Sequence, residues 1–282
     1  MIKAYTLFNR EGGVGTYFYA METFLGIEVY YNLKNKVIAD KNDTIIIGDV
    51  EALKYFEFKN YFRTILFIHD IFPYSHPEYY NYSWGDVLKN QIKEYISENQ
   101  KHPTQRLIIF NSEYTKNDFE IYFNCKVKNS LILYPTPIKI YDLNLDKEYD
   151  LITEQIYDPR KNPDAVKSLI ENHKFKIFNL YDYYNNKLTD ADLNIVYNKA
   201  RGVYLPSYLE GFGISISQAT KLGIPVFVNA NADYIKQIEP FKYLHNLIKL
   251  DNLQDYDLIK QTLDNWTYED KEITKEQYYK YF

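Results

Sequence analysis

The chain has 282 residues, 46% of them hydrophobic, which is enough for two domains with a core each. Its single cysteine, Cys125, excludes an internal disulfide framework. The N-terminus has no charged-then-apolar signal and no run of about 18 apolar residues occurs, so a cytoplasmic protein with no stable membrane insertion is expected. The net charge of -5, from 33 basic and 38 acidic residues, argues against a broad electrostatic grip on nucleic acid.

Apolar, β-rich runs recur at residues 2–8, 44–48, 64–68, 107–110 and 130–134, with segments of helical spacing between them. Strands alternating with helices predict a parallel α/β sheet. After Pro135-Thr136-Pro137 comes a polar, charged stretch, IKIYDLNLDKEYD, which reads as a linker. A second series of strands is expected at residues 149–155, 174–180, 202–205 and 225–229. The predicted domains are 1–138 and 139–264, with 265–282 a C-terminal helix packing back on the first. Two such units leave a cleft, where ligands favour the interface.

Local signals mark several helices. Asn162-Pro163-Asp164 reads as an N-cap, N1 proline and acidic first turn, and Thr189 with Asp192 as a capping box in which Asp stands for Glu. In DVLKNQIKEYISENQKH, Leu88, Ile92, Tyr95 and Ile96 share one face, a core stripe rather than a membrane-docking one because the polar residues carry both signs.

Four stretches carry candidate chemistry. In FNREGGVGTYFYAMETF, Gly12, Gly13 and Gly15 lie between a strand and a helix, where a backbone can approach a phosphate; a ligand-free turn explains the same pattern. In FIHDIFPYSHPEYY, His69 and Asp70 end an apolar run and so project from a strand's C-terminal end. A metal held by His69, Asp70, His76 and Glu78 is a weaker reading, since no helical i, i+4 pair or thiolate supports it, and no metal or other cofactor is expected. In YDPRKNPDAV, Arg160 and Lys161 stand directly before a capped helix, which suits a diphosphate. In YLPSYLEGFGISISQATKLGIPVFVN, a carboxylate, Glu210, sits in a glycine turn between an apolar run and a helix.

Together these residues resemble the family-4 retaining glycosyltransferases of the GT-B fold. The likeness runs in order through the Gly-Gly-x-Gly turn at Gly12, His69-Asp70 with His76-Pro77-Glu78, NSEYTKNDF, Arg160-Lys161-Asn162, LTDADL, and Pro206-Ser207-x-x-Glu210-Gly211-Phe212-Gly213 with Gly223-x-Pro225-Val226. It implies two Rossmann-like domains with parallel sheets facing across a cleft. The implied reaction moves a sugar from a UDP- or GDP-type nucleotide sugar to an acceptor hydroxyl of a glycan or glycoconjugate, keeping the anomeric configuration and needing no metal. Lys161 and Arg160 are then expected on the leaving diphosphate, Glu210 on the sugar hydroxyls, and His69 near the anomeric carbon from the other lobe. Gly12, Gly13, Gly15, Ser207, Gly211, Phe212, Gly213 and Gln218 complete the donor side, and Asp70 and His76 the acceptor side. The chain departs from the family's pattern twice: Gln218 stands where a second glutamate is usual, and Gln155-Ile156 where Gly-Arg precedes the lysine. Two alternatives stay open: a phage-type transferase acting on a modified base in DNA, and an inactive partner subunit.

Overall fold

The structure, a computed structural model, describes residues 1–8, 13–37, 39–80, 85–135, 140–154, 158–181 and 189–267. The chain forms two compact α/β units, Met1–Pro135 and Thr136–Phe282.

The first unit contains β1 (Ile2–Tyr5), β2 (Glu28–Tyr30), β3 (Thr44–Ile47), β4 (Arg63–Ile68), β5 (Arg106–Phe110) and β6 (Ser130–Ile132), with helices α1 (Gly13–Leu25), α2 (Phe72–Ser75), α3 (Gly85–Lys101) and α4 (Glu113–Tyr122). The strands pair in parallel in the order β2-β1-β3-β4-β5-β6. Because side chains alternate along a strand, Ile45, Ile47, Leu66, Ile68, Ile108 and Phe110 enter one core with Ile92 and Tyr95 of α3, while Ile46, Phe67 and Ile109 enter another with Tyr17, Phe18 and Met21 of α1. The core stripe expected on α3 is buried there: Leu88, Ile92, Tyr95 and Ile96.

The second unit contains β7 (Tyr149–Thr153), β8 (Ile177–Asn179), β9 (Ala200–Leu205), β10 (Val226–Asn229) and β11 (Leu247–Leu250), with α5 (Pro163–His173), α6 (Asp190–Lys199), α7 (Ile214–Leu222), α8 (Asp233–Gln237) and α9 (Tyr256–Asn265). Its parallel order is β11-β10-β9-β7-β8. Leu151, Tyr204, Phe227 and Leu250 pack there with Val166 and Leu169 of α5 and with Ile259 and Leu263 of α9. In each sheet the strand order reverses at one place, between β1 and β3 in the first and between β7 and β9 in the second. At such a switch point the two connections leave to opposite faces, and a crevice opens beyond the strands' C-terminal ends.

The expected caps form. The Asn162 side chain accepts from the Ala165 N–H at the start of α5, and Thr189 with Asp192 closes a reciprocal capping box on α6. The stretch read as a linker differs: Tyr141 N–H donates to Asn194 Oδ1 at 2.8 Å and Leu143 N–H to Asn198 Oδ1 at 2.7 Å, so α6 holds residues 141–143 within the second unit, and Tyr149 and Asp150 begin β7. β2 and β11, not expected from the sequence, are edge strands of three and four residues. The helix expected over 265–282 lies almost wholly outside the described residues, α9 ending at Asn265. Among the described residues no helix is long and apolar enough to cross a membrane.

Candidate functional site

The second unit's switch point brings together its most buried ion pairs. β7 and β9 run side by side, with Thr153 paired to Tyr204, and each continues into a loop at its C-terminal end. The β7 loop supplies Glu154 and, within a short 3-10 turn at Pro159–Lys161, Arg160 and Lys161. The β9 loop supplies Pro206 through Gly213. A backbone bond fastens the loops together, Tyr208 N–H donating to the Arg160 carbonyl at 2.8 Å.

Lys161 lies at the centre. Its ammonium donates to both Glu154 Oε2 and Glu210 Oε1, and Ser215 Oγ, in the first turn of α7, donates to Glu154 Oε1. The Lys161 and Glu210 side chains are 10% exposed and that of Glu154 is 18% exposed, so one cation is held between two carboxylates largely out of water. Burial pulls the Lys161 ammonium down, but the two carboxylates outweigh it and leave it above its ordinary value. Burial pushes Glu154 up, and the Lys161 charge with hydrogen bonds from Lys161 and Ser215 brings it below the ordinary carboxylate range. Burial raises Glu210, Lys161 only partly offsets this, and the Glu154 charge adds to the rise. Two carboxylates sharing one ammonium are pushed apart in this way because they cannot ionise with equal ease. Arg160 is turned aside: its Nη2 meets Asp158 Oδ2 at 2.7 Å and its Nε lies 3.2 Å from both oxygens of that carboxylate.

The Glu-Gly-Phe-Gly turn is shaped by its ends. Gly213, at φ +84°, is the N-cap of α7 in a left-handed conformation that an L side chain adopts only with strain, and it has no side chain to cap the helix's first N–H groups. The Phe212 ring is 2% exposed and packs 5.2 Å from Phe241, so this position offers a ligand its backbone only. Gln218 lies in the middle of α7 and is half-buried. Ser207 Oγ and Thr153 Oγ1 are buried and have no hydrogen-bond partner among the described residues. Thr153 ends β7 just before Glu154, and Ser207 lies in the β9 loop three residues before Glu210, so both hydroxyls belong to the segments that carry the two acids.

In the first unit the corresponding edge holds His69. It follows β4 on the face of Phe67, stacked on that ring at 4.8 Å and edge-on to Tyr17 of α1 at 5.2 Å. Its Nε2 donates to the Gly48 carbonyl at 3.0 Å, which fixes the tautomer and leaves Nδ1 an acceptor. Burial pushes the imidazole down to about 4 against a smaller upward pull from that bond, so His69 is neutral near pH 7. Asn111 Nδ2 and Thr115 Oγ1 donate to the His69 carbonyl at 2.8 and 3.3 Å, which gives the NSEYT stretch a role in holding His69. Asp49, just past β3, is also a buried carboxylate: it accepts from the Leu7 N–H at 3.0 Å, Thr6 Oγ1 at 3.2 Å and the Ala52 N–H at 2.7 Å, and so ties the loop after β1 to the one after β3.

Asp70 Oδ1 accepts from the Phe72 N–H at 3.3 Å, an arrangement that opens α2. His76 lies between Asp118 and Glu78, each 3.5 Å away, and the Asp118 carboxylate lifts its imidazole above the ordinary value. Among the described residues no group of three or more His, Cys, Asp or Glu is placed to hold a metal ion. Gly13 begins α1 and Gly15 is buried within it, while Gly12 and Gln155-Ile156 lie outside the described residues. The structure thus brings Lys161 and Glu210 together, sets Arg160 beside them on its own counter-ion, and adds Glu154, which the sequence reading had taken as part of a strand.

No family model matches the sequence, and no curated protein matches it. Solved structures do. A sucrose-phosphate synthase from Thermosynechococcus elongatus superposes with a TM-score of 0.71 at 11% identity, covering 100% of this chain and 94% of that one. Anabaena HepE, solved with UDP and glucose, gives 0.57 at 13% identity over 98% of this chain and 95% of that one. TarM from S. aureus, solved with UDP, gives 0.57 at 16% identity over 86% of this chain and 54% of that one, so this chain spans about half of TarM's length. At such identities the likeness shows the fold, and the chain has the α/β fold of these GT-B glycosyltransferases.

Proposed function

We propose that the chain is a glycosyltransferase that moves a sugar from a nucleotide diphosphate sugar, of UDP type, to a hydroxyl of a glycan or glycoconjugate, with retention at the anomeric carbon. The observation that carries this reading is the Lys161 ammonium, largely buried at the switch-point edge of the second sheet and hydrogen-bonded to Glu210 of the glycine turn. In the reaction the bond between the sugar's C1 and the diphosphate oxygen breaks, and its electron pair leaves with the diphosphate. The acceptor oxygen bonds to C1 on the same face, and its proton passes to the departing phosphate oxygen.

Charge grows on the diphosphate as that bond breaks, and Lys161 would be the cation that meets it. An ammonium has three donors, and the described residues use two of them. The uncapped start of α7 adds N–H groups of the kind that bind phosphate. Glu210 would accept from hydroxyls of the sugar and so orient the anomeric carbon, while Gln218, eight residues on in α7, would meet the ribose. The UDP found with HepE and TarM, and the α-GlcNAc-glycerol found with TarM, support a uridine donor and a glycan-type acceptor.

The test compares Glu210→Gln with Gln218→Ala under saturating donor. Loss of the sugar-orienting carboxylate should lower kcat by about 10²-fold, the scale of one transition-state contact, while loss of the ribose contact should mostly raise donor KM. Turnover is expected to survive EDTA. A near-normal kcat in Glu210→Gln would make the carboxylate a turn-forming residue and refute its placement on the sugar.

A further inference from the structure

We propose that the Glu154–Glu210 pair takes up one proton from solvent when a nucleotide diphosphate binds beside Lys161, with Glu154 as the positioning residue that imposes this requirement. The proposal rests on the donor reading above and adds a residue and a linkage to it.

The argument is one of charge at short range. Lys161 carries one positive charge and is hydrogen-bonded to two carboxylates, so the three groups together are net negative when both acids are ionised. The Arg160 charge also favours ionisation of both acids, but Asp158 rides with it through Nε and Nη2, so the two together add no net charge. The titratable and charged groups at the pair among the described residues are Lys161, Arg160 with its counter-ion Asp158, and each acid itself, with the uncharged Ser215 contributing from α7. A diphosphate brings negative charge to this cluster in a place where water screens little. Protonating one carboxylate makes the cluster neutral and releases part of the Lys161 charge for the phosphate. It also gives the pair a hydrogen to share or to donate.

Glu154 is what makes this necessary. With an uncharged side chain at 154, Lys161 and Glu210 would balance one another and the diphosphate would meet a neutral pair. The carboxylate instead keeps the ammonium fixed while the site is empty, with Ser215 holding its other oxygen. Burial and the neighbouring Glu154 charge already hold its partner above the ordinary carboxylate range, which lowers the cost of adding the proton. The protonation belongs to the pair and not to either member.

Isothermal calorimetry with UDP-glucose and with UDP-GlcNAc, in buffers of differing ionisation enthalpy between pH 6 and 8, counts the protons directly, since a diphosphate diester does not itself titrate in that range. The wild-type chain should take up about one proton on binding, and Kd should rise by up to about tenfold per pH unit as the pH increases. In Glu154→Gln the uptake should vanish, Kd should become flat with pH, and binding at pH 8 should be tighter than in the wild type. Wild-type binding with no proton uptake and a pH-independent Kd would overturn the linkage and leave the donor reading standing. Failure of the wild type to bind either nucleotide sugar at any of these pH values would overturn the UDP-sugar reading itself, and the linkage with it.

Discussion

Replacing Lys161 by methionine keeps most of the side chain's volume and removes the charge that two carboxylates share. What remains is Glu154 and Glu210, mutually repelling, with one oxygen of each deprived of its donor and with 18% and 10% side-chain exposure. Removing one partner of a fully buried ion pair typically costs about 3–5 kcal/mol. The residual exposure here allows some rehydration, so we expect about 2–4 kcal/mol at pH 8. For a unit of this size that corresponds to a fall in Tm of roughly 4–16 °C. The cost must also depend on pH. In the variant the pair holds protons more tightly when folded than when unfolded, so folding is favoured at low pH and weakened as pH rises. Urea unfolding at pH 5.5 and pH 8 measures this, followed by Trp266, whose indole N–H donates to the Gly223 carbonyl at 2.9 Å and so reports on the second unit. The other tryptophan, Trp84, is changed to Phe in both proteins to keep the signal clean. A loss below about 1 kcal/mol at pH 8, or a loss no greater there than at pH 5.5, would refute the picture of one buried ammonium neutralising two acids.

Two further outcomes test the first unit. A methyl group at Gly48 would stand 2.6 Å from the Phe18 ring and 2.7 Å from the Tyr5 carbonyl, neither of which can yield easily, so Gly48→Ala should cost about 1–3 kcal/mol in urea unfolding; a change under 0.5 kcal/mol, roughly that of an ordinary surface substitution, would contradict it. His69 titrates near 4 when folded and near 6.5 when free, so the unfolded chain binds its proton first and stability falls as pH drops from about 6.5 towards 4. His69→Gln should remove about 1–3 kcal/mol of that acid loss, and an unchanged acid limb in the variant would show that the imidazole is solvated.

What the sequence disclosed was whatever is settled over a few residues. The Asn162 cap and the Thr189–Asp192 box are bonds between groups three residues apart, and they form as their spacing predicts. Strand-helix alternation gave both parallel sheets, because alternate burial on two faces and long apolar runs are local properties. The edge strands β2 and β11 escaped because three or four residues at a sheet edge carry too little pattern to stand out from loop. The segment after Pro135 is polar and does read as a linker. Tyr141 and Leu143 within it are held by Asn194 and Asn198, more than 50 residues further along, and no local pattern could announce that.

Glu154 shows where the boundary between legible and hidden lies. Its two carboxylate oxygens find Lys161, seven residues on, and Ser215, 61 residues on, while Lys161 finds Glu210 at a separation of 49. None of these pairings follows from spacing in the chain; they follow from β7 and β9 being neighbours across the point where the strand order reverses. Yet a usable signal was present. Glu154 directly follows the strand residues Leu151-Ile152-Thr153, just as His69 follows Leu66-Phe67-Ile68 and Asp49 comes one glycine after Ile45-Ile46-Ile47. In a parallel α/β unit a polar residue at that place emerges at the strand's C-terminal edge, where ligands bind. The same inference that singled out His69 therefore applies to Glu154 and Asp49, and the structure gives both of them buried partners. Their tasks then diverge for a reason the sequence does not hold. Asp49 receives two backbone N–H groups and a hydroxyl and is consumed by holding its own loops, whereas Glu154 receives an ammonium that a diphosphate can also claim, and only the second arrangement can answer to a ligand.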